Sequence, residues 1–347
     1  MLSSSKLKFS LQQVFYLIFA VIGTVAVLYY GSTLIVPLIV ALFCAVVFIK
    51  PIDKLIQKGL PEWLSISISI LIFLVVSTGV FVVIFWQFNV ISQDLPEIKT
   101  KGEDMYNMIA NWSVRQFGYN IFESLSESGE LFKTLKSYVA VWASSFASFV
   151  TQMVMVLVYL VFILMQRKTF KKFIYKSFSE DKKETIASII KQSKKSITNY
   201  ILGKGIIILI LFVVYYIGFL LVGVPHALFL ALFASIFSII PYIGNVIGGG
   251  VAAGLATLYS GVGAGILVVA VISVAQVAES YVLTPFIIGD QIDLNPFITI
   301  FGVVAFSLLW GMIGTIIALP ILGVIKVVVS HIEGMENFKV LLEKEKD

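Results

Sequence analysis

Charge is scarce in this chain: charged side chains make up 13% of its 347 residues, hydrophobic ones 59%, and the mean hydropathy is +0.99. Soluble domains carry roughly a quarter of their residues as charges, so lipid is the expected solvent. Cysteine occurs once, as Cys44 inside an apolar run, which excludes an intrachain disulfide or a cysteine metal cluster and reads as a packed, inert thiol. Histidine occurs twice, as His226 beside Pro225 and His331 at the end of the last apolar stretch, and both read as interfacial. There is no His-Glu-x-x-His pair and no glycine loop ending in Lys-Ser or Lys-Thr. An enzyme reading therefore finds little support, no cofactor or metal is expected, and uphill movement of a solute would have to draw on an ion gradient. Alternating apolar and polar positions are missing too, which excludes a membrane β-barrel.

What the chain has is long apolar runs. Each is near the ~20 residues that one helix needs to cross ~30 Å of hydrocarbon, so the fold class is an all-α integral membrane protein with about eight membrane segments. Spans are expected near 12–30, 33–49, 64–90, 149–166, 201–222 and 262–284, and longer apolar segments near 226–259 and 297–330. The first run leads straight into the second, as a retained helix does and a cleaved signal does not. The net charge of +5 reads as topology rather than nucleic-acid binding, because of where it falls. Residues 50–63 carry Lys50, Lys54 and Lys58, and 167–200 carry ten basic residues. Residues 91–148 hold five basic residues against seven acidic ones. The positive-inside bias puts both termini in the cytoplasm and 91–148 outside a multi-pass cell-membrane protein. Residues 91–148, with Trp112, Phe117, Phe122, Phe132 and Trp142 among charges, read as surface helices at headgroup level. Residues 179–196 read as a basic amphipathic helix on the inner leaflet, with Ile186, Ile189, Ile190 and Ile197 on one stripe.

The two long segments hold 34 residues each, too many for one upright span and too few for two with a loop. The first is interrupted by Pro241-Tyr242-Ile243-Gly244-Asn245 and the second by Trp310-Gly311-Met312-Ile313-Gly314. Proline removes a backbone donor and glycine loosens a helix, so both should break. Broken backbone at membrane depth survives only inside protein or beside a wet cavity, which makes the breaks a candidate transport site; kinked, tilted spans are the competing reading. If both segments are re-entrant hairpins, 201–259 and 262–330 form an inverted-topology repeat.

Polar groups gather in the span 262–284. Gln276, Glu279 and Ser280 share one face within about one turn, with Thr284 and Pro285 following. Glu279 is a candidate for solute, proton or cation binding, or for a structural pair with Lys204 or Lys326. The linker after Pro285 carries Asp290 and Asp293, two tentative cation ligands in what also reads as simple turn punctuation. Tyr242 and Asn245 offer hydrogen bonds without fixed charge, which suits a small polyol.

The ordered set Pro241-Tyr242-Ile243-Gly244, Gln276 to Glu279, Thr284-Pro285, Gly289, Leu294-Asn295-Pro296, Gly311-Met312-Ile313-Gly314 and Ala318-Leu319-Pro320 resembles the autoinducer-2 exporter family of permease-like membrane proteins over nearly the whole chain. Members often have histidine where this chain has Asn295. The resemblance implies eight membrane segments, a homo-oligomer with a pentamer as the named candidate, and two hairpins that hold a solute while a mobile unit shifts against a scaffold. Its members resemble exporters of autoinducer-2, a quorum-sensing polyol, or sodium–proton antiporters.

The expected division is 1–90 as scaffold helices, 91–148 as an extracytoplasmic segment, 149–200 as a helix plus a basic segment, 201–330 as the transport unit and 331–347 as a cytoplasmic tail. The expected function is secondary or facilitated export of a small polar metabolite by an elevator-like mechanism. Binding is assigned to Pro241, Tyr242, Gly244, Asn245, Gln276, Glu279, Thr284, Pro285, Gly311 and Gly314. The alternatives are antiport of Na+ against H+ through Glu279, with Asp290 and Asp293 as accessories, and a non-transport scaffold that docks a partner through 91–148 or 179–196. Lipid is a partner in each, and nucleic acid in none.

Overall fold

The structure, a computed structural model, describes residues 11–119, 150–240, 244–289 and 294–343. Among these residues the chain is helical and strandless, apart from one isolated bridge between Leu294 and Glu343. Five helices among them are long and apolar enough to cross a membrane, and shorter apolar helices accompany them.

Helix α1 (Leu11–Tyr30) and helix α2 (Ser32–Gln57) are joined by the tight turn at Gly31. Helix α3 (Glu62–Phe117) differs from the expected end near residue 90: it runs on unbroken for 56 residues, about 84 Å at 1.5 Å per residue. Its polar half carries the ion pairs Lys99–Glu103 and Lys101–Glu97, which support a solvated helix once the apolar stretch is over. Residues 91–117 are thus an extension of a membrane helix rather than separate surface helices; Phe122, Phe132 and Trp142 lie outside the described residues.

Helix α4 (Val150–Met165) bends by 66° into helix α5 (Arg167–Lys176). Arg167 fixes the bend, with its guanidinium 2.7 Å from Asp53 and 3.0 Å from Glu62, while Lys168 reaches Glu62 at 2.6 Å. The basic helix α5, with Phe170 and Phe173 exposed, is thereby clasped to the turn between α2 and α3. Helix α6 (Lys183–Val222) follows a short 3₁₀ turn at Glu180–Lys182 and spans 40 residues. The basic stretch 179–196 therefore runs straight into the span 201–222: Ser196, Ile197, Thr198 and Tyr200 are buried against neighbours, which holds the helix on course where the hydropathy dips.

The next segment reverses. Helix α7 (Ala227–Phe237) and helix α8 (Gly244–Ser260) lie side by side, so close that a Cβ on Gly248 would sit 2.6 Å from the Ala234 Cα. The far ends meet as well, with the His226 and Tyr259 rings 6.4 Å apart. A helical hairpin that reverses between Ile240 and Gly244 satisfies both facts. A second turn at Gly261, whose φ of 87° suits glycine, starts helix α9 (Val262–Ala278), which returns along α8 and packs antiparallel to α6 through Gly218 against Val271 and Gly203 against Ile288.

Helix α9 passes into a π-helical segment, Glu279–Ile288. Proline at 285 would clash with the carbonyl four residues back in an α-helix; the wider π turn relieves that crowding. Helix α10 (Pro296–Val329) is long and apolar enough to count as a span, yet its backbone leaves the helical region at Trp310 (φ −133°, ψ 15°) and Gly311 (φ 61°, ψ −143°). A Cβ on Gly302 would lie 2.5 Å from a Leu322 methyl, although residues 20 apart in a straight helix are about 30 Å apart. α10 is therefore a second hairpin. Its two ends also lie together, because helix α11 (Glu336–Leu342) returns to the start of α10, where Asn295 N–H donates to Leu342 O at 3.0 Å. Asn295 caps the incoming arm, its side chain accepting from Phe297 N–H at 2.9 Å with Pro296 in the first turn. One span plus hairpin is thus followed by another of opposite direction, in the order the inverted repeat requires.

Two separate cores result. Ala41, Ala45, Ile52, Ile66, Leu160 and Leu164 pack α2, α3 and α4 together. A larger core joins α6 to α9, with Tyr215, Phe219, Leu230, Ala252 and Val268 at its centre. Among the described residues a smaller cluster, Phe43, Ile197 and Ile317 with half-buried neighbours around them, lies between α2, α6 and α10.

Candidate functional site

A cavity of about 300 Å³ opens where the two halves of the repeat meet. Helix α6 contributes Tyr200 and Lys204, the end of the first hairpin's incoming arm contributes Ser238 and Ile240, and the two arms of α10 contribute Thr299 and Leu319. The α9–π segment supplies Gln276, Glu279, Ser280, Thr284 and Ile288. The π turn matters here. Glu279 and Thr284 are five residues apart, on diverging faces of an α-helix, and the wider turn brings both toward the same cavity.

At its centre Lys204 Nζ donates to Glu279 Oε1 at 2.6 Å, with side-chain exposures of 12% and 7%. Two charges this far from water are tolerable only together: attraction between them offsets a desolvation cost of several kcal/mol per ion. Around the pair the groups are neutral hydrogen-bonders. Gln276 Nε2 donates to Ser280 Oγ at 3.1 Å, and Ser238 Oγ donates to Ser235 O at 2.7 Å, which leaves hydroxyl lone pairs for a guest. The arrangement can hold a small, uncharged, hydroxyl-bearing molecule, or exchange a proton or cation at a carboxylate whose counter-ion is already built in.

The structure brings Gln276, Glu279 and Thr284 to one cavity and pairs Glu279 with Lys204. Gly244 sits at the start of α8 against Phe237, and Asn245 follows it. Pro285 is exposed on the π segment. Gly311 and Gly314 shape the tip of the second hairpin, away from the cavity lining; next to them Trp310 Nε1 donates to Leu28 O of α1 at 2.8 Å. Pro241, Tyr242, Asp290 and Asp293 lie outside the described residues. Tyr200, Ser238 and Thr299 were not anticipated. The only available signal was that Ser238 precedes Pro241 by three residues and that Thr299 follows the Asn295 cap by four.

Polar groups enclosed by apolar helices, beside a point where the backbone turns back within the apolar layer, are arranged as in a solute carrier. Fold and site together define a multi-pass helical membrane transport protein. Residues 17–334 match the family described as AI-2E family transporter, and the chain belongs to that family. It is similar to "Putative transport protein YrrI" of Bacillus subtilis (strain 168), 26% identical over 317 residues that cover 88% of each chain. It is also similar to "Putative permease PerM" of Escherichia coli (strain K12), 26% identical over 331 residues, 93% of this chain and 94% of that protein.

Proposed function

We propose that the chain is a secondary or facilitated transporter that exports a small, uncharged polar metabolite, with an autoinducer-2-like polyol as the leading candidate. The observation that carries this reading is the cavity: hydroxyl and amide groups surround an acid that already has its own lysine. A guest entering that environment meets hydrogen-bond partners and no net charge. The volume, about 300 Å³, stands at the lower limit of the roughly 300–1,000 Å³ usual for small-molecule sites. The family description points the same way.

In this reading α6 to α10 are the moving unit and α2 to α4 the fixed one, as the two separate cores and the smaller, largely half-buried cluster between them favour. The lysine-rich end faces the cytoplasm, both termini with it, and the apolar outer faces of α1 and α3 meet lipid or further copies of the chain in a homo-oligomer. Catalysis has no part in the scheme.

Proteoliposomes loaded with autoinducer-2 test it. Wild-type protein should release the solute faster than protein-free vesicles, and Thr284→Val, which keeps the shape and removes the hydroxyl, should slow release about tenfold, the loss of roughly 1.4 kcal/mol. Release at the protein-free rate sinks the polyol assignment. The second reading, sodium–proton exchange, is favoured by the buried position of Glu279. A sodium gradient would then change the internal pH in wild-type vesicles and not in Glu279→Gln vesicles, without any organic solute.

A further inference from the structure

Only Gln166 separates the end of α4 from the start of α5, and the two helices are bent by 66°. With α4 crossing the bilayer, that angle lays α5 nearer to the membrane plane than to its normal, at the level where the hydrocarbon gives way to headgroups. None of the ten residues of α5 is buried, although Phe170, Phe173, Ile174 and Tyr175 are among them. Phe170 is 51% exposed and Phe173 68%, and Phe162 and Met165 in the last turn of α4 are exposed as well. The stretch 179–196, expected on the leaflet, runs into the span of α6 instead. α5 supplies what that stretch was expected to supply.

At 100° per residue Phe170, Phe173 and Ile174 fall within an arc of about 100°, the width of a half-buried helix face. Lys171 and Lys176 flank the arc on either side, and Lys172 lies on the opposite side of the helix. The helix carries Arg167, Lys168, Lys171, Lys172 and Lys176 and no acid. Asp53 and Glu62 engage the first two, at the edge that meets the turn between α2 and α3. Lys171 stands over the Tyr175 ring at 5.9 Å, on the flank of the aromatic face. Aromatic rings bordered by lysines on a short helix at the end of a span match the two layers of an anionic leaflet, with phosphates above and acyl chains below.

We propose that α5 is a surface anchor that binds an anionic phospholipid leaflet. Phe170 and Phe173 enter the acyl boundary, while Lys171 and Lys176 extend their ammonium groups to headgroup phosphates on either side of them. The grip passes to the body of α2 to α4, because Arg167 and Lys168 tie the anchor to Asp53 near the end of α2 and to Glu62 at the start of α3. The anchor is independent of what the central cavity transports.

The test uses the full chain in nanodiscs, with Cys44 replaced by alanine and a single cysteine carrying the fluorophore NBD. Quenching by nitroxide-labelled phosphatidylglycerol or phosphatidylcholine reports contact with each lipid, and quenching by iodide reports access from water. A label at Phe173→Cys should be quenched by lipid and shielded from iodide, and a label at Lys172→Cys the reverse; both positions are exposed, so folding is not at stake. From titrations of lipid mole fraction, the association of phosphatidylglycerol relative to phosphatidylcholine at residue 173 should fall about fivefold in Lys171→Gln/Lys176→Gln. It should stay unchanged in Lys54→Gln/Lys58→Gln, two exposed lysines of the same end. Equal iodide access at residues 172 and 173 would place α5 in water, and a label at 173 reached by neither quencher would place protein over that face. Either result overturns the proposal, as does a lipid preference that survives in the α5 double variant or falls equally in the Lys54 and Lys58 pair.

Discussion

Lys204 and Glu279 come from helices separated by 75 positions in sequence and bury their charges at each other's side. Removing one charge strands the other in a poorly solvated place, at a cost of roughly 3–5 kcal/mol, whereas replacing both by neutral groups of similar size costs far less. Glu279→Gln and Lys204→Met should each lower the unfolding temperature of the purified protein markedly, and the double variant should recover most of the loss. Strictly additive losses in that cycle would mean that water screens the pair and that its burial is unimportant. Glu279 was legible in the sequence because a carboxylate inside an apolar run needs a reason to be there. Its pairing with Lys204 was not, because it depends on the register in which α6 meets the π segment, set by contacts such as Gly203 with Ile288. Tyr200, Ser238 and Thr299 stayed hidden for a different reason: an isolated hydroxyl in an apolar helix can bond to its own backbone and signals nothing by itself.

Elements end where backbone hydrogen bonds end, and hydropathy marks that place poorly. α3 continues past residue 90 and α6 begins well before residue 201, because a helix entering water can keep its ladder through ion pairs and side-chain packing. The breaks at membrane depth were legible, since proline and glycine act on the backbone itself. Their outcome, reversal rather than kink, needed the close approaches of Gly248 to Ala234 and Gly302 to Leu322. The π segment was not foreseen: Pro285 marks strain, but only packing decides whether the helix ends or widens. Reversal at the first hairpin has a consequence for sidedness. In a background with Cys44 replaced by alanine, Ser260→Cys should react with a membrane-impermeant maleimide from the same side as Arg115→Cys on the α3 extension. Lys58→Cys should react from the other side. If residues 226–259 crossed the bilayer once, Ser260→Cys would label together with Lys58→Cys.

At the scale of the molecule, the two cores meet at a seam whose described side chains are mostly half-buried rather than buried. Packing inside each is extensive and brings together fully buried side chains, Leu160 and Leu164 in one, Tyr215 and Leu230 in the other. Phe43, Ile197 and Ile317 are the buried side chains of the layer between them. Interiors resist deformation because they are close-packed, so relative motion is easier along a half-buried seam than through either core. The tip of the second hairpin crosses the same seam, tied to α1 by the hydrogen bond from Trp310 to Leu28. Past its apolar stretch the α3 extension reaches the open end of the first hairpin, through His226 against Asp94 at 2.8 Å and Lys101 over the Tyr259 ring at 4.6 Å. Polar latches of this kind can open and close, whereas a hydrophobic core cannot without unfolding. Movement of α6 to α10 as one body therefore requires sliding at Phe43 and Ile317. A reducible methanethiosulfonate cross-linker joining Phe43→Cys to Ile317→Cys, again without Cys44, should bring solute release from proteoliposomes down to the protein-free rate, and reductant should restore it. A reducible link between Leu160→Cys and Ala45→Cys, both inside the α2–α4 core, should leave release unchanged. Release that persists across the seam cross-link would show that the solute passes without the two cores moving past each other.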